Sequence, residues 1–197
     1  LRVLEVTYQH LVDDDLLALA SLENSTLETL KIQNAKFTKK GIEALAKSPA
    51  LANVSVLDLS GCGLDDAAAV ALLRSPHLKN LRRLGLSGDA VGDAVVDAAL
   101  DASFTSTLEY LSLHETSVSD AGAQAIAKST ALARLAHLEL TQTKIGDAGA
   151  TAIAGAAGLG KLLYLGFPTD ELGAAAKKAL RHSKHLSSSA KSGLRLD

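Results

Sequence analysis

The chain has 197 residues, of which 47% are hydrophobic and 21% charged, and Lys+Arg 20 against Asp+Glu 22 leave a net charge of -2. That balance is too apolar for a disordered chain, is long enough to bury a core, and supplies no general pull toward nucleic acid or an anionic membrane. The single cysteine, Cys62, excludes an internal disulfide and a cysteine-based zinc cluster and fits a reducing compartment, so a cytoplasmic location is expected.

No run of about 18 apolar residues is present to cross a bilayer. The chain opens at Leu1, inside an apolar run, and contains no methionine. A truncated N-terminus is therefore expected, with any signal peptide lost upstream.

One frame, L-x-x-L-x-L or a close variant, opens at Leu1 and returns at Leu27, Val54, Leu81, Leu108, Leu135 and Leu162, after one step of 26 residues and five of 27. A period held over most of the chain is the mark of a stacked structural unit. The first six residues of each frame alternate apolar and variable, as in LEYLSL (108–113) and LAHLEL (135–140), which predicts a short strand with one buried face.

About eleven residues into each frame a helix start follows. Thr38, Asp65 and Ser119 are its N-cap candidates in three repeats, and Asp66, Asp93, Asp120 and Asp147 come one residue later in four, where unpaired amides and the helix dipole favour negative charge. Leu19, Leu45, Leu72, Ala99, Ile126, Ile153 and Leu180 then form the helical column expected to face the strands. The phrase SDAGAQAIA (119–127) returns as GDAGATAIA (146–154), and its small residues Ala121, Gly122, Ala148 and Gly149 are expected to permit close approach of the first helical turn.

These units resemble leucine-rich repeats of the ribonuclease-inhibitor-like class, over roughly residues 1–186. The resemblance implies an α/β fold: a curved horseshoe solenoid of about seven repeats, with parallel strands on the concave face and helices on the convex face. Residues 187–197 are expected to be a partial eighth repeat, with Leu194 and Leu196 at strand positions, or a flexible tail. Leu1, Leu4 and Val6 would lie bare at the first edge. The family's ninth frame residue is usually Asn or Cys; here it is Gln9, Ala35, Cys62, Asp89, Thr116, Thr143 and Asp170. Ala35 cannot cap backbone groups, so the second turn is expected to be held less firmly.

Catalytic chemistry is not supported. GAQAIAKST (122–130) has Walker-like spacing, but Ala127 stands where a glycine is needed and the segment lies in a helix, without free amides. No G-x-S-x-G elbow accompanies the serines and aspartates. His114, His137 and Glu139 could in principle hold a metal, but their spacing follows from the repeat and no second shell is visible, so neither cofactor nor metal is expected.

What remains is the wall of outward-facing strand positions. Its third column reads Val3, Thr29, Val56, Arg83, Tyr110, His137 and Tyr164. All three tyrosines, Tyr8, Tyr110 and Tyr164, fall on this wall or its rim, although aromatic residues make up 3% of the chain. Arginine and tyrosine anchor interfaces because each joins a large contact area to a polar tip. Arg83, Tyr110, His137, Tyr164 and His114 are the expected partner-binding residues, with Glu115 and Glu139 setting acidity at the rim and favouring a partner segment with Lys or Arg.

The expected function is a non-enzymatic module that binds a protein partner, within a longer chain or a larger complex. An architectural subunit of an assembly is the alternative, and GTPase activation, implied only by the resemblance, a more remote one.

Overall fold

The computed structural model describes residues 1–7, 10–23, 25–194 and 196. Seven strands form one sheet in chain order: β1 (Val3–Thr7), β2 (Thr29–Gln33), β3 (Val56–Asp58), β4 (Arg83–Gly85), β5 (Tyr110–Ser112), β6 (His137–Glu139) and β7 (Tyr164–Gly166). Every pairing is parallel. Each strand is followed by a helix of eight or nine residues: α1 (Asp13–Ala20), α2 (Lys39–Ala46), α3 (Asp66–Leu73), α4 (Asp93–Asp101), α5 (Asp120–Lys128), α6 (Asp147–Ala154) and α7 (Ala174–Arg181). A short helix, α8 (Ser188–Ser192), packs against β7, and Leu186, Ala190 and Leu196 are buried beside it.

The core lies between the strand layer and the helix layer. Frame positions one, four and six point into it: Leu81, Leu84 and Leu86 are each fully buried, as are Leu135, Leu138 and Leu140 one arc further on. The helical column from Leu19 to Leu180 is buried throughout. Strands pair about 4.8 Å apart whereas packed helices stand about 8–10 Å apart, so stacking bends the solenoid and puts the strands on the concave wall.

The duplicated phrase has a contact that its own repeat does not contain. Asp93, the first residue of α4, accepts hydrogen bonds from the backbone N–H of Ser119 (2.9 Å) and of Gly122 (3.0 Å) in the next repeat. Asp120 does the same for Gly146 (2.7 Å) and Gly149 (2.8 Å). A Cβ at Gly122 would lie 2.5 Å from Asp93 Oδ1, and one at Gly149 would lie 2.7 Å from Asp120 Oδ1. Glycine therefore admits both the preceding repeat's carboxylate, which satisfies amides that the helix start leaves unpaired, and the close packing of Val118 or Ile145 from its own repeat. Asp13, Asp66 and Asp147 each accept from the helix start one repeat on, so the carboxylates form a clamp along the solenoid.

Thr38, Asp65 and Ser119 are N-caps as expected, each side chain accepting a backbone N–H of its helix. The strands β2 to β6 each lead into a turn whose eighth frame residue is left-handed, at Asn34, Gly61, Gly88, Glu115 and Gln142. Behind it, the ninth column works in three ways. Thr116 and Thr143 donate to the carbonyls of Leu113 and Leu140 in their own turns, both at 2.7 Å. Asp89 instead accepts from Gly63 N–H (2.7 Å) and Leu64 N–H (3.2 Å) of the preceding repeat. Cys62 donates its thiol to the Ile32 carbonyl at 3.0 Å. The turn at Ala35 is thus not left loose: Cys62 and the bond from Phe37 N–H to the Cys62 carbonyl close it from the following repeat. Gln9 lies outside the described residues.

Candidate binding wall

The parallel register places the third column side by side, with Arg83 opposite Tyr110, Tyr110 opposite His137 and His137 opposite Tyr164. Because neighbouring strands are about 4.8 Å apart, flat side chains at one level can stack, and these do. The Arg83 Cζ stands 4.1 Å from the Tyr110 ring centroid. The Tyr110 and His137 rings are 4.4 Å apart with 21° between their planes, and the His137 and Tyr164 rings 4.2 Å apart with 13°. The result is one continuous pile of a cation and three rings across four strands, with Arg83 and Tyr164 exposed and the two middle groups half-buried.

Sequence reasoning placed these four in a row but did not foresee the fate of the polar groups around them. Glu139 Oε1 accepts from the Thr141 N–H (2.8 Å) and the Thr141 hydroxyl (2.6 Å), and Glu139 Oε2 accepts from the Tyr164 hydroxyl (2.9 Å). Its side chain leans over Gly166, where a Cβ would collide with both carboxylate oxygens. Burial works to raise the Glu139 carboxyl, but the bonds from Thr141 and Tyr164 and the positive charge near His114 outweigh it and hold it below the usual carboxylate value. The bond to Glu139, followed by burial, raises the Tyr164 phenol. Burial lowers the His137 imidazole, and Arg83 adds to that against the pull of Glu139.

His114 stands just past β5, where its Nδ1 is 2.8 Å from the Thr141 hydroxyl and 3.1 Å from the Thr141 carbonyl. Thr141 thus joins His114 to Glu139. Glu115 is exposed at the rim and occupies the left-handed turn position. Glu139 is therefore not the open acidic group that the sequence suggested, since its two oxygens already accept three protein donors. Tyr8 lies outside the described residues.

The same device recurs three repeats earlier. Asp58 leans over Gly85, its Oδ1 accepting from Ser60 N–H (3.0 Å) and the Ser60 hydroxyl (2.6 Å), and its Oδ2 from Gln33 Nε2 (2.5 Å). Beside it the missing Gly85 side chain leaves a depression of about 280 Å³ bounded by Val56, Asp58, Arg83, Ser87, Tyr110 and Ser112. Among the described residues no three His, Cys, Asp or Glu side chains are grouped to hold a metal ion. No helix among them is long and apolar enough to cross a membrane. The Walker-like segment lies in α5 up to Lys128, and its Gly122 amide is taken by Asp93.

A family model described as Leucine Rich repeat matches residues 23–46, 50–73 and 135–154. These segments coincide with parts of the second, third and sixth repeats, so the chain carries leucine-rich repeats, a type of unit that generally serves as a protein-interaction module. No curated protein matches the chain at a significant level.

Proposed function

We propose that the chain is a non-enzymatic binding module that holds a protein partner on its concave wall. The observation that carries this reading is the stacked row of Arg83, Tyr110, His137 and Tyr164. The stack fixes each side chain before a partner arrives, so little rotamer freedom is left to lose on binding, while the ring edges and the exposed Tyr164 remain accessible beside polar tips. The row spans about 15 Å, the size of a central anchor cluster within a larger interface. His114, Glu115 and Glu139 border it. The full helix in every repeat supports the ribonuclease-inhibitor-like class, and the lone reduced cysteine supports a cytoplasmic setting.

The test uses a partner captured from native extract and then purified. Alanine at Tyr110 or Arg83 is expected to weaken its binding by about 2 kcal/mol or more with the fold intact. Alanine at the exposed Lys128, at the end of α5, is expected to change it little. Equal losses from both sets, or losses from the helical face alone, would overturn the concave reading.

One observation favours an architectural role as a second reading. In the first repeat Leu1, Val3, Val12 and Leu22 are exposed, while Leu4 and Val6 are half-buried. A neighbouring subunit seated there would make the native mass exceed that of a binary complex, and sedimentation of the native complex decides it.

A further inference from the structure

We infer that the partner presents a carboxylate to Arg83: the occupant of the wall is an extended acidic peptide segment, with an Asp or Glu side chain on the guanidinium and its following residues lying on the stacked rings. This rests on the concave reading above and reverses the charge preference expected from the sequence.

Most charged side chains along the wall already have partners within the protein. Lys31 is paired with Glu5 at 2.9 Å. Asp58 is satisfied by Gln33 and Ser60, and Glu139 by Thr141 and Tyr164. Lys31 is neutralised by Glu5, whereas Asp58 and Glu139 keep their charge but already hold neutral donors on both oxygens. Arg83 differs. It is exposed, its guanidinium lies over Tyr110, and among the described residues no carboxylate or other acceptor takes its N–H groups. The neighbouring Arg82 is engaged with Glu109 at 2.5 Å, so that acidic side chain is occupied by Arg82 and not by Arg83.

Stacking suits Arg83 to this role. A guanidinium held against a ring face keeps its donors at the edge of its plane, turned toward whatever lies above the wall, and a planar fork of N–H groups matches a carboxylate with two parallel bonds. The Tyr110 hydroxyl, with no hydrogen-bond partner among the described residues, is a further donor on the ring that Arg83 covers. The depression over Gly85 supplies room next to both. Asp58 lines that depression, but both of its oxygens accept from Gln33 and Ser60, which offsets part of its repulsion of an incoming carboxylate. Lys31, Asp58 and Arg83 line it, and with Lys31 paired to Glu5 and Asp58 bonded to Gln33 and Ser60, Arg83 is the charged group there without a partner of its own.

An extended segment fits the rest of the wall. At about 3.3 Å per residue, roughly four or five residues cover the 15 Å row. Beyond the acidic residue they meet the edges of the Tyr110 and His137 rings and the exposed Tyr164, which offer apolar contact.

The experiment is an NMR titration of the whole chain, following the Arg83 Nε–Hε signal and the Tyr110 ring signals. The probes are blocked peptides Ac-Ser-Leu-X-Leu-Ser-NH2, with X as Glu, Gln, Lys or phosphoserine. The Glu peptide is expected to move both sets of signals, and the Gln peptide to bind about tenfold more weakly or worse, as loss of a charge-assisted bond implies. The Lys peptide is expected to leave them unmoved. Arg83→Gln should abolish the preference for Glu over Gln, and Arg83→Lys, which keeps the charge but not the fork, should reduce it, both with unchanged circular dichroism.

Binding of the Lys peptide as tightly as the Glu peptide would overturn the inference. So would a response confined to phosphoserine, an undiminished Glu preference in Arg83→Gln, or no shift with any probe. If the Glu peptide fails while Tyr110→Ala still releases the captured partner, the carboxylate inference falls and the concave reading stands. If neither Tyr110→Ala nor Arg83→Gln affects that partner, both fall.

Discussion

The clamp between successive repeats can be broken and repaired at Gly41. A Cβ there would lie 2.5 Å from Asp13 Oδ1 and 2.9 Å from Asp13 Cγ, and the three nearest atoms all belong to Asp13. Asp13 in turn accepts from the Thr38 N–H at 2.8 Å and from the Thr38 hydroxyl. Alanine for glycine inside a helix is worth about 1 kcal/mol in propensity. Displacing the carboxylate forfeits charge-assisted bonds worth about 1.5–3 kcal/mol when well shielded, and less at this half-exposed site, where water replaces them. Gly41→Ala alone should therefore destabilise by about 1 kcal/mol, and Asp13→Ala alone by about 1–2 kcal/mol. In the Asp13→Ala background the obstruction is gone, so adding Gly41→Ala should recover about 1 kcal/mol, a coupling of about 2 kcal/mol. Urea denaturation followed by circular dichroism measures the cycle, and amide exchange at Thr38 reports the lost bond. The bonds from the Thr38 hydroxyl and amide hold the Asp13 carboxyl below its ordinary 3.8, so its contribution is present above that pH and fades as pH falls through the lowered folded value. Effects that add within about 0.5 kcal/mol at neutral pH would refute the clamp.

Three further outcomes are expected. Burial pushes the Asp89 carboxyl from 3.8 up to about 6, against the pull of the Gly63 and Leu64 amides, and its Oδ2 is buried without a partner. The folded chain then holds this proton more tightly than the unfolded one, so the ionised group costs stability as pH rises from 3.8 through 6. The stability of Asp89→Asn relative to the parent should grow by up to about 3 kcal/mol over that range, and a flat difference in urea denaturation would contradict it. Burial also pushes the Cys62 thiol up to about 11, so iodoacetamide at neutral pH should leave the native chain unlabelled and modify the unfolded one; rapid native labelling would show the turn to be open. Tyr164→Phe removes the donor to Glu139 Oε2, so the carboxyl titration read by 13C NMR should move up toward 4.5, whereas an unchanged titration would mean that this bond is not formed in solution.

The strand register was legible because a fixed 27-residue step brings equivalent residues into line, and Arg83, Tyr110, His137 and Tyr164 pair in the predicted order. The buried helical column and the caps at Thr38, Asp65 and Ser119 were legible for the same reason. What escaped were contacts between repeats made by polar atoms. The glycines of the duplicated phrase looked like simple packing residues because the carboxylate that fills their space is 29 positions away, in the preceding helix. The left-handed turn position is announced by Asn34, Gly61 and Gly88, but Glu115 and Gln142 obscure the column. A sequence displays Glu139 without showing that Thr141 and Tyr164 donate to its oxygens.

The central claim is that the strand wall, and not the helical surface, meets the partner. Hydroxyl-radical oxidation of the free chain and of its complex with the captured partner, read by mass spectrometry, tests it at side-chain level. Tyr110, His137 and Tyr164 are expected to be protected in the complex, while the exposed His182 at the end of α7 and Val70 on α3 keep their free rates. Protection of His182 and Val70 with unchanged oxidation of the three stacked rings would contradict the account.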